Sequence, residues 1–311
     1  MDNDKITTIQ IKDAISWSGY LIEQRVSRIL AENYFVKPNY TYLDPLSGIT
    51  REIDMRVDSS MMWAEDDKNA EGIHWSLFCE CENNSQPVVF FPFTPIDPTW
   101  GYSVIKCFGM PMKIMKNNEY VHLLSFLPFD KYHHYCKGDV SSQYCSFTHK
   151  RDKEKWMATH LEEQHDTFNS LIYAVEYETN KFYSDNWEPP SKDEVEPIFF
   201  EFIYPLVILG GELLEAKIGK RGLVLKKAHH VQFLKNTYIS GSEVTYKIDV
   251  VTEDYVSEYM KIIEFEIAKL KNAIKRHKKI ITDSIPYILQ DVKKADKPNS
   301  YKKLLTVDEM D

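Results

Sequence analysis

Two acids two residues apart, Glu80 and Glu82, close the run Trp75-Ser76-Leu77-Phe78-Cys79-Glu80-Cys81-Glu82, whose other members are mostly bulky and apolar. Residues i and i+2 of an extended strand point to the same side. The two carboxylates therefore project together from the end of a buried strand. Adjacent carboxylates repel, and the arrangement needs a cation, a proton or a basic neighbour to be tolerable. Two further acids precede the pair: Asp54 in Arg51-Glu52-Ile53-Asp54-Met55-Arg56-Val57, and Glu23 in Gly19-Tyr20-Leu21-Ile22-Glu23-Gln24-Arg25-Val26. Taken singly, each reads as an ordinary solvated acid, Glu23 on the flank of a helix and Asp54 on the polar face of a strand.

The elements that must position these acids follow from periodicity. Ile15, Tyr20, Ile22, Val26, Ile29 and Leu30 recur at helical spacing and predict an amphipathic helix within residues 11–34, with Gly19 marking its start. Residues 36–42 read as a strand, Asp44-Pro45-Leu46-Ser47-Gly48 as a turn, and residues 51–57 as a second strand. In that strand Ile53, Met55 and Val57 share one face, and Glu52, Asp54 and Arg56 the other. Pairing of residues 51–59 with 73–82, through an acidic link at 64–72, would bring Asp54 towards Glu80. The Pro-rich aromatic stretch 91–102 is expected to be an irregular but ordered loop.

Beyond it, Trp156, Leu161, Phe168, Leu171, Ile172 and Val175 predict a helix over 153–179. The Pro-rich, acidic segment 186–196 divides the chain into a part carrying the acids, residues 1–185, and a C-terminal part, residues 186–311, expected to pack on the same sheet. The C-terminal part holds strands at 198–208, 212–218 and 246–251 and a long helix over 253–281. That helix is acidic at its start and basic at its end, which suits its dipole. Between these elements lies a basic tract with Lys217, Lys220, Arg221, Lys226 and Lys227, which reads equally as a solvated face or as a nucleic-acid contact. His133, His134, Cys136, Cys145 and His149 raise the thought of zinc. Their spacing is loose and lacks a paired C-x-x-C, so ordinary residues are the preferred reading.

Composition sets the outer bounds. With 311 residues, 43% hydrophobic and 13% aromatic, the chain can bury a sizeable core and does not have the composition of a disordered protein. A net charge of −9 argues against indiscriminate nucleic-acid binding but leaves room for a local basic surface. Five cysteines, an odd number, suit reduced thiols. With neither a signal-peptide pattern nor a membrane-length apolar run, a cytoplasmic location and no membrane partner are expected.

The order of the acids carries more than any one of them. A helix with Glu23 is followed by a strand with Asp54, then by a strand ending in Glu80-Cys81-Glu82, a polar break at Asn83-Asn84-Ser85 and the Pro-led run Pro87-Val88-Val89-Phe90-Phe91. This resembles the PD-(D/E)XK nuclease superfamily over residues 15–95. The resemblance implies an α/β, restriction-endonuclease-like fold. Its core is αβββαβ, a mixed central sheet flanked by helices, here with additional C-terminal strands and a long helix. It also implies Mg²⁺ or Mn²⁺ at Asp54 and Glu80, with Glu82 and Glu23 assisting. The activity implied is phosphodiester hydrolysis of nucleic acid, DNA before RNA, in restriction or anti-phage defence, alone, as a homodimer or with a defence partner. Glu82 departs from the pattern, standing where the family usually has Lys. The departure favours an alternative, a degenerate nuclease fold that binds nucleic acid or a protein; an unrelated α/β fold with surface acids is a third reading.

Overall fold

A computed structural model describes residues 5–63, 71–95, 105–108, 113–117, 119–127, 129–150, 155–159, 162–185, 199–239 and 241–294. Two helices lead the chain, α1 (Thr8–Trp17) and α2 (Tyr20–Ala31), parted at Gly19. Three antiparallel strands follow: β1 (Phe35–Leu43), β2 (Thr50–Met62) and β3 (Gly72–Glu82). Next come β4 (Val88–Phe93), β5 (Lys106–Phe108), a small hairpin of β6 (Lys113–Lys116) with β7 (Glu119–His122), and the short α3 (Leu123–Phe126). β8 (Val140–Lys150), β9 (Lys155–Thr159) and α4 (Glu162–Asp185) complete the first part. The second part supplies β10 (Phe199–Leu209), β11 (Leu213–Gly219), β12 (Gly222–Ala228), β13 (His230–Ile239), β14 (Ser242–Thr252) and α5 (Val256–Lys294).

Both parts build one mixed sheet, ordered β1-β2-β3-β10-β14-β13-β8-β4-β11-β12, with β5 beside β10 and β9 beside β8. β10 runs parallel to β3 over its whole length and parallel to β14 at its C-terminal end. After Glu82 the chain continues into β4, and after Leu209 into β11, which pair in parallel again. The two connections pass so closely that a Cβ on Gly211 would lie 2.4 Å from the Asn84 carbonyl oxygen, so glycine is required there.

Helices cover both faces. On one, α2 sets Ile22, Val26 and Leu30, and α5 sets Val256, Tyr259, Ile263, Ile267, Leu270 and Ile274, against Met55, Val57, Leu77 and Cys79. These are the i, i+3, i+4, i+7 stripes of helices with one buried side. On the other face α4 packs Phe168, Leu171, Ile172 and Val175 on Phe78, Phe90, Ile203, Val207 and Phe233. Among the described residues no helix is long and apolar enough to cross a membrane.

Several expectations need correction. Ile53 does not share a face with Met55 and Val57: it packs with Tyr40 and Phe78 in the α4 core, whereas Met55 and Val57 join the α2/α5 core. The alternation breaks because the β1–β2 ladder omits Asn39 and Asp54, and Asn39 takes a left-handed conformation at φ 49°, which Asn tolerates. The helix expected over 153–179 begins only at Glu162; Trp156 lies in β9, paired opposite His149 of β8. Phe91–Phe93 belongs to β4, with Pro92 accommodated where the β4–β8 register shifts. α5 runs on to Lys294, past the expected end at Ile281. The links 64–70 and 186–196 lie outside the described residues.

Candidate functional site

β2 and β3 pair from Met62↔Gly72 to Met55↔Cys79 and no further. Asp54 is the first residue past the last rung, and its Oδ2 accepts the Cys81 backbone N–H at 2.7 Å, so the carboxylate occupies the gap between the parting strands. Glu80 comes from β3, and its carboxyl meets that of Asp54 closely enough to share a proton. Burial, then the neighbouring charges of Asp54 and Glu82, push the Glu80 pKa well above the ordinary carboxylate range. Burial also raises Asp54, against the opposing effect of its two hydrogen bonds.

Glu23 reaches the same place from α2. A Cβ on Gly19 would sit 3.1 Å from Glu23 Oε1 and 3.6 Å from the Cys81 carbonyl oxygen, so the bare glycine leaves room for this carboxylate. Burial, Asp54 and Glu52 raise its pKa. Asn83 fixes the approach of the helices to the end of β3, donating through Nδ2 to the carbonyls of Ser16 and Ser18, each at 3.1 Å. Glu82 turns to the α4 side, accepts the Thr167 hydroxyl and lines a small cavity with Val88, Phe90, Tyr144 and Phe168. All four carboxylates are thus half-buried around the C-terminal end of β3, where Asp54 acts on both Glu23 and Glu80 and Glu82 acts on Glu80. Lys106 places its ammonium over the Tyr246 ring at 4.2 Å and 3.9 Å from Glu176.

An open cleft lies beside the ends of β10 and β14, lined by Ile29, Gly210, Gly211, Lys227, Thr252 and Asp254. The basic tract forms the exposed β11–β12 hairpin at the sheet edge. Lys220 and Arg221 occupy its tip and Lys226 stands opposite Glu215, whereas Lys217 is engaged by Asp139. Among the five, Lys227 is the one that lines the cleft.

A second polar cluster, missed by the sequence reading, is buried on the α2/α5 face. The turn His134–Cys136 sits on His230, Gln232, Lys247 and Asp249 of β13 and β14. Gln232 donates to the His134 carbonyl at 2.8 Å, and Lys247 to that of Tyr135 at 2.5 Å. His134 lies between Asp249 and Glu266. Burial pulls its pKa down, but these two acids outweigh burial and hold it up at about 10. Asp249, fully buried, is held well below the usual carboxylate range by His134 and His230 despite the opposing effect of burial. The zinc grouping considered from sequence does not assemble: His149 packs on Trp156, Cys145 pairs opposite Val89, and among the described residues no cysteine joins a cluster with metal-ligand spacing. One sequence signal did point here. Glu266 stands on the apolar stripe of α5, three residues after Ile263 and four before Leu270.

No protein-family model matches this chain, and neither does any curated protein or solved structure.

Proposed function

We propose that this chain is a metal-dependent nuclease of restriction-endonuclease-like architecture, hydrolysing phosphodiester bonds of nucleic acid, DNA before RNA. The observation that carries the reading is the Asp54–Glu80 carboxyl pair in the gap where β2 and β3 part, with Glu23 brought to it by α2. The elements α2, β1, β2, β3, α4 and β10 follow one another in αβββαβ order once β4 to β9 and α3, inserted between β3 and α4, are set aside, and β10 runs parallel to β3, which supports it. So does the position of Glu80 near the carboxyl end of β3, which runs parallel to β10.

The residues fit a hard divalent cation. Two carboxyls forced together, each with a raised pKa, hold a proton that Mg²⁺ or Mn²⁺ would displace, and Asp54 and Glu80 offer the oxygen donors such ions prefer. The bound ion supplies Lewis acidity towards a phosphoryl oxygen and towards water. The protein supplies the rest. Glu82, oriented by the Thr167 hydroxyl, is the base that takes a proton from water, in the place of the lysine this motif otherwise carries. Glu23 adds a further carboxylate from α2. Lys220, Arg221, Lys226 and Lys227 on the β11–β12 hairpin offer phosphate contacts that position the substrate without reading its sequence.

Glu82 carries a specific argument for the alternative, a spent nuclease fold that only binds. Its oxygen is committed to α4 and it borders an apolar cavity. One experiment separates the two readings. Plasmid, single-stranded DNA and RNA are incubated with the protein and Mg²⁺ or Mn²⁺, beside Asp54→Asn and Glu82→Gln. Cleavage by the wild type, lost at least ~100-fold in both variants, is expected. Binding of nucleic acid without cleavage would select the alternative, and neither binding nor cleavage would end both readings.

A further inference from the structure

We infer that the buried cluster of His134, His230 and Asp249 is a transition-metal site of the zinc class, separate from the carboxylate pair and closed over by the turn His134–Cys136. His134 Nε2 lies 2.9 Å from Asp249 Oδ2, and His230 Nε2 lies 2.7 Å from Asp249 Oδ1. The donor atoms of the three residues all fall within 4.8 Å of one another. In a tetrahedral site with bonds of roughly 2.0–2.1 Å the ligand atoms stand a little over 3 Å apart, so each His–Asp separation must widen by about half an ångström to admit an ion. Two imidazoles with one carboxylate suit zinc and its first-row neighbours rather than Mg²⁺ or Ca²⁺.

The surroundings are those of a metal-ligating histidine. Nδ1 of His134 is 2.8 Å from Glu266 Oε1, the outer carboxylate that fixes ring orientation and leaves Nε2 for the ion. Asp249 Oδ2 also accepts the Tyr259 hydroxyl at 2.7 Å. Lys247 and Gln232 hold the turn by its carbonyls, so His134 is positioned by backbone contacts that owe nothing to its ring.

The neighbouring group His133, His134 and Glu266 has ligand spacing too, but hydrogen bonding excludes it. His133 Nδ1 accepts the Tyr135 backbone N–H at 3.0 Å, which leaves the proton of a neutral ring on Nε2, where a metal would have to bind. That Nε2, on a side chain with 0% exposure, has no hydrogen-bond partner and points towards Glu266 Oε2 at 3.6 Å. The Tyr204 hydroxyl, in the same core, is also without a partner. Buried donors left unmatched beside a carboxylate–histidine pair fit a site arranged for one more component. Entry is from the His230 side, where 16% of the side chain is exposed next to His229 and Tyr255.

The test uses the full chain, stripped with chelator and titrated with Zn²⁺ by calorimetry and with Co²⁺ by visible absorption. An Asp54→Asn/Glu80→Gln variant removes the carboxylate pair as a competing site. This variant is expected to take up one equivalent of Zn²⁺, and both it and the wild type to melt at a higher temperature with it and to give the absorption of four- or five-coordinate Co²⁺. His230→Ala is expected to weaken uptake at least tenfold. His230→Gln keeps a hydrogen bond to Asp249 and guards against a folding defect; it should lose the Co²⁺ spectrum while melting as the stripped wild type does. Folded wild type that takes up neither ion would overturn the inference. So would uptake that disappears in the Asp54→Asn/Glu80→Gln variant, or that survives both His230 substitutions.

Discussion

Glu80→Gln is expected to make the metal-free protein more stable at pH 7 while abolishing its response to Mg²⁺. The sign follows from the raised pKa. A carboxyl whose folded value lies above its unfolded value contributes stability that is fully present below the unfolded value, about 4.3 for Glu, and lost as pH rises through the folded value. Burial, Asp54 and Glu82 place Glu80 in this class. Near neutrality the wild type therefore bears either a repelling pair or a proton held against the solvent. The Gln amide still donates to Asp54 but has no charge to lose. A gain of ~2–4 °C in melting temperature, as about 1 kcal/mol gives in a domain of this size, is the expected scale.

In the wild type, Mg²⁺ at a hundred times its dissociation constant should restore about 2.7 kcal/mol, more effectively at pH 8 than at pH 5, where protons compete. Melting curves with chelator and with Mg²⁺, at both pH values, decide the matter. A variant that melts below the wild type at pH 8 in chelator, or still responds to Mg²⁺, would remove the carboxyl pair from the account.

Arg56→Met should be among the most damaging single changes on the opposite face. The guanidinium, 15% exposed, donates Nε to Asp58 at 2.8 Å and Nη1 to Glu178 at 3.0 Å, approaches Glu201 at 3.8 Å, and lies over the rings of Tyr40 and Phe78. It ties β2 and β3 to β10 and α4, the elements that carry Asp54, Glu80 and the Thr167 contact of Glu82. Methionine keeps the packing of the stem but leaves three carboxylates facing one another. The expected loss is about 3–5 kcal/mol, a fall on the order of 10 °C in melting temperature. Adding Glu178→Gln should recover part of it, because the two residues share one network. A near-neutral Arg56→Met would show that this network contributes little.

The two clusters differ in how far the sequence revealed them. Asp54, Glu80 and Glu82 were legible because strand alternation and hairpin order are local rules, and a pair of acids closing an apolar run conflicts with its surroundings. Glu23 was legible only through the order of elements. His230, Asp249 and Glu266 were not found: a polar residue alternating with apolar ones in a strand reads as a solvent-facing residue. Asp249 sits between Ile248 and Val250 in that pattern, yet has 0% exposure because the turn His134–Cys136 and α5 cover its face. The break in alternation at Ile53 was hidden for a related reason. It depends on Asn39 across the ladder taking a left-handed conformation, a choice made by the partner strand.

The sequence by itself determined the amphipathic faces of α2 and α5, the strands around the acidic motif, and the tendency of adjacent carboxylates to need a proton or a cation. These depend on periodicity and like-charge repulsion, which act between near neighbours in the chain. Only the tertiary structure decided that β2 and β3 part at Asp54, that Glu82 turns to Thr167, and that residues 134, 230, 249 and 266 meet. Those outcomes rest on contacts between segments more than a hundred residues apart in several cases, such as His134 with Asp249 and Glu266. There the choice of partner is set by which faces the folded sheet brings together.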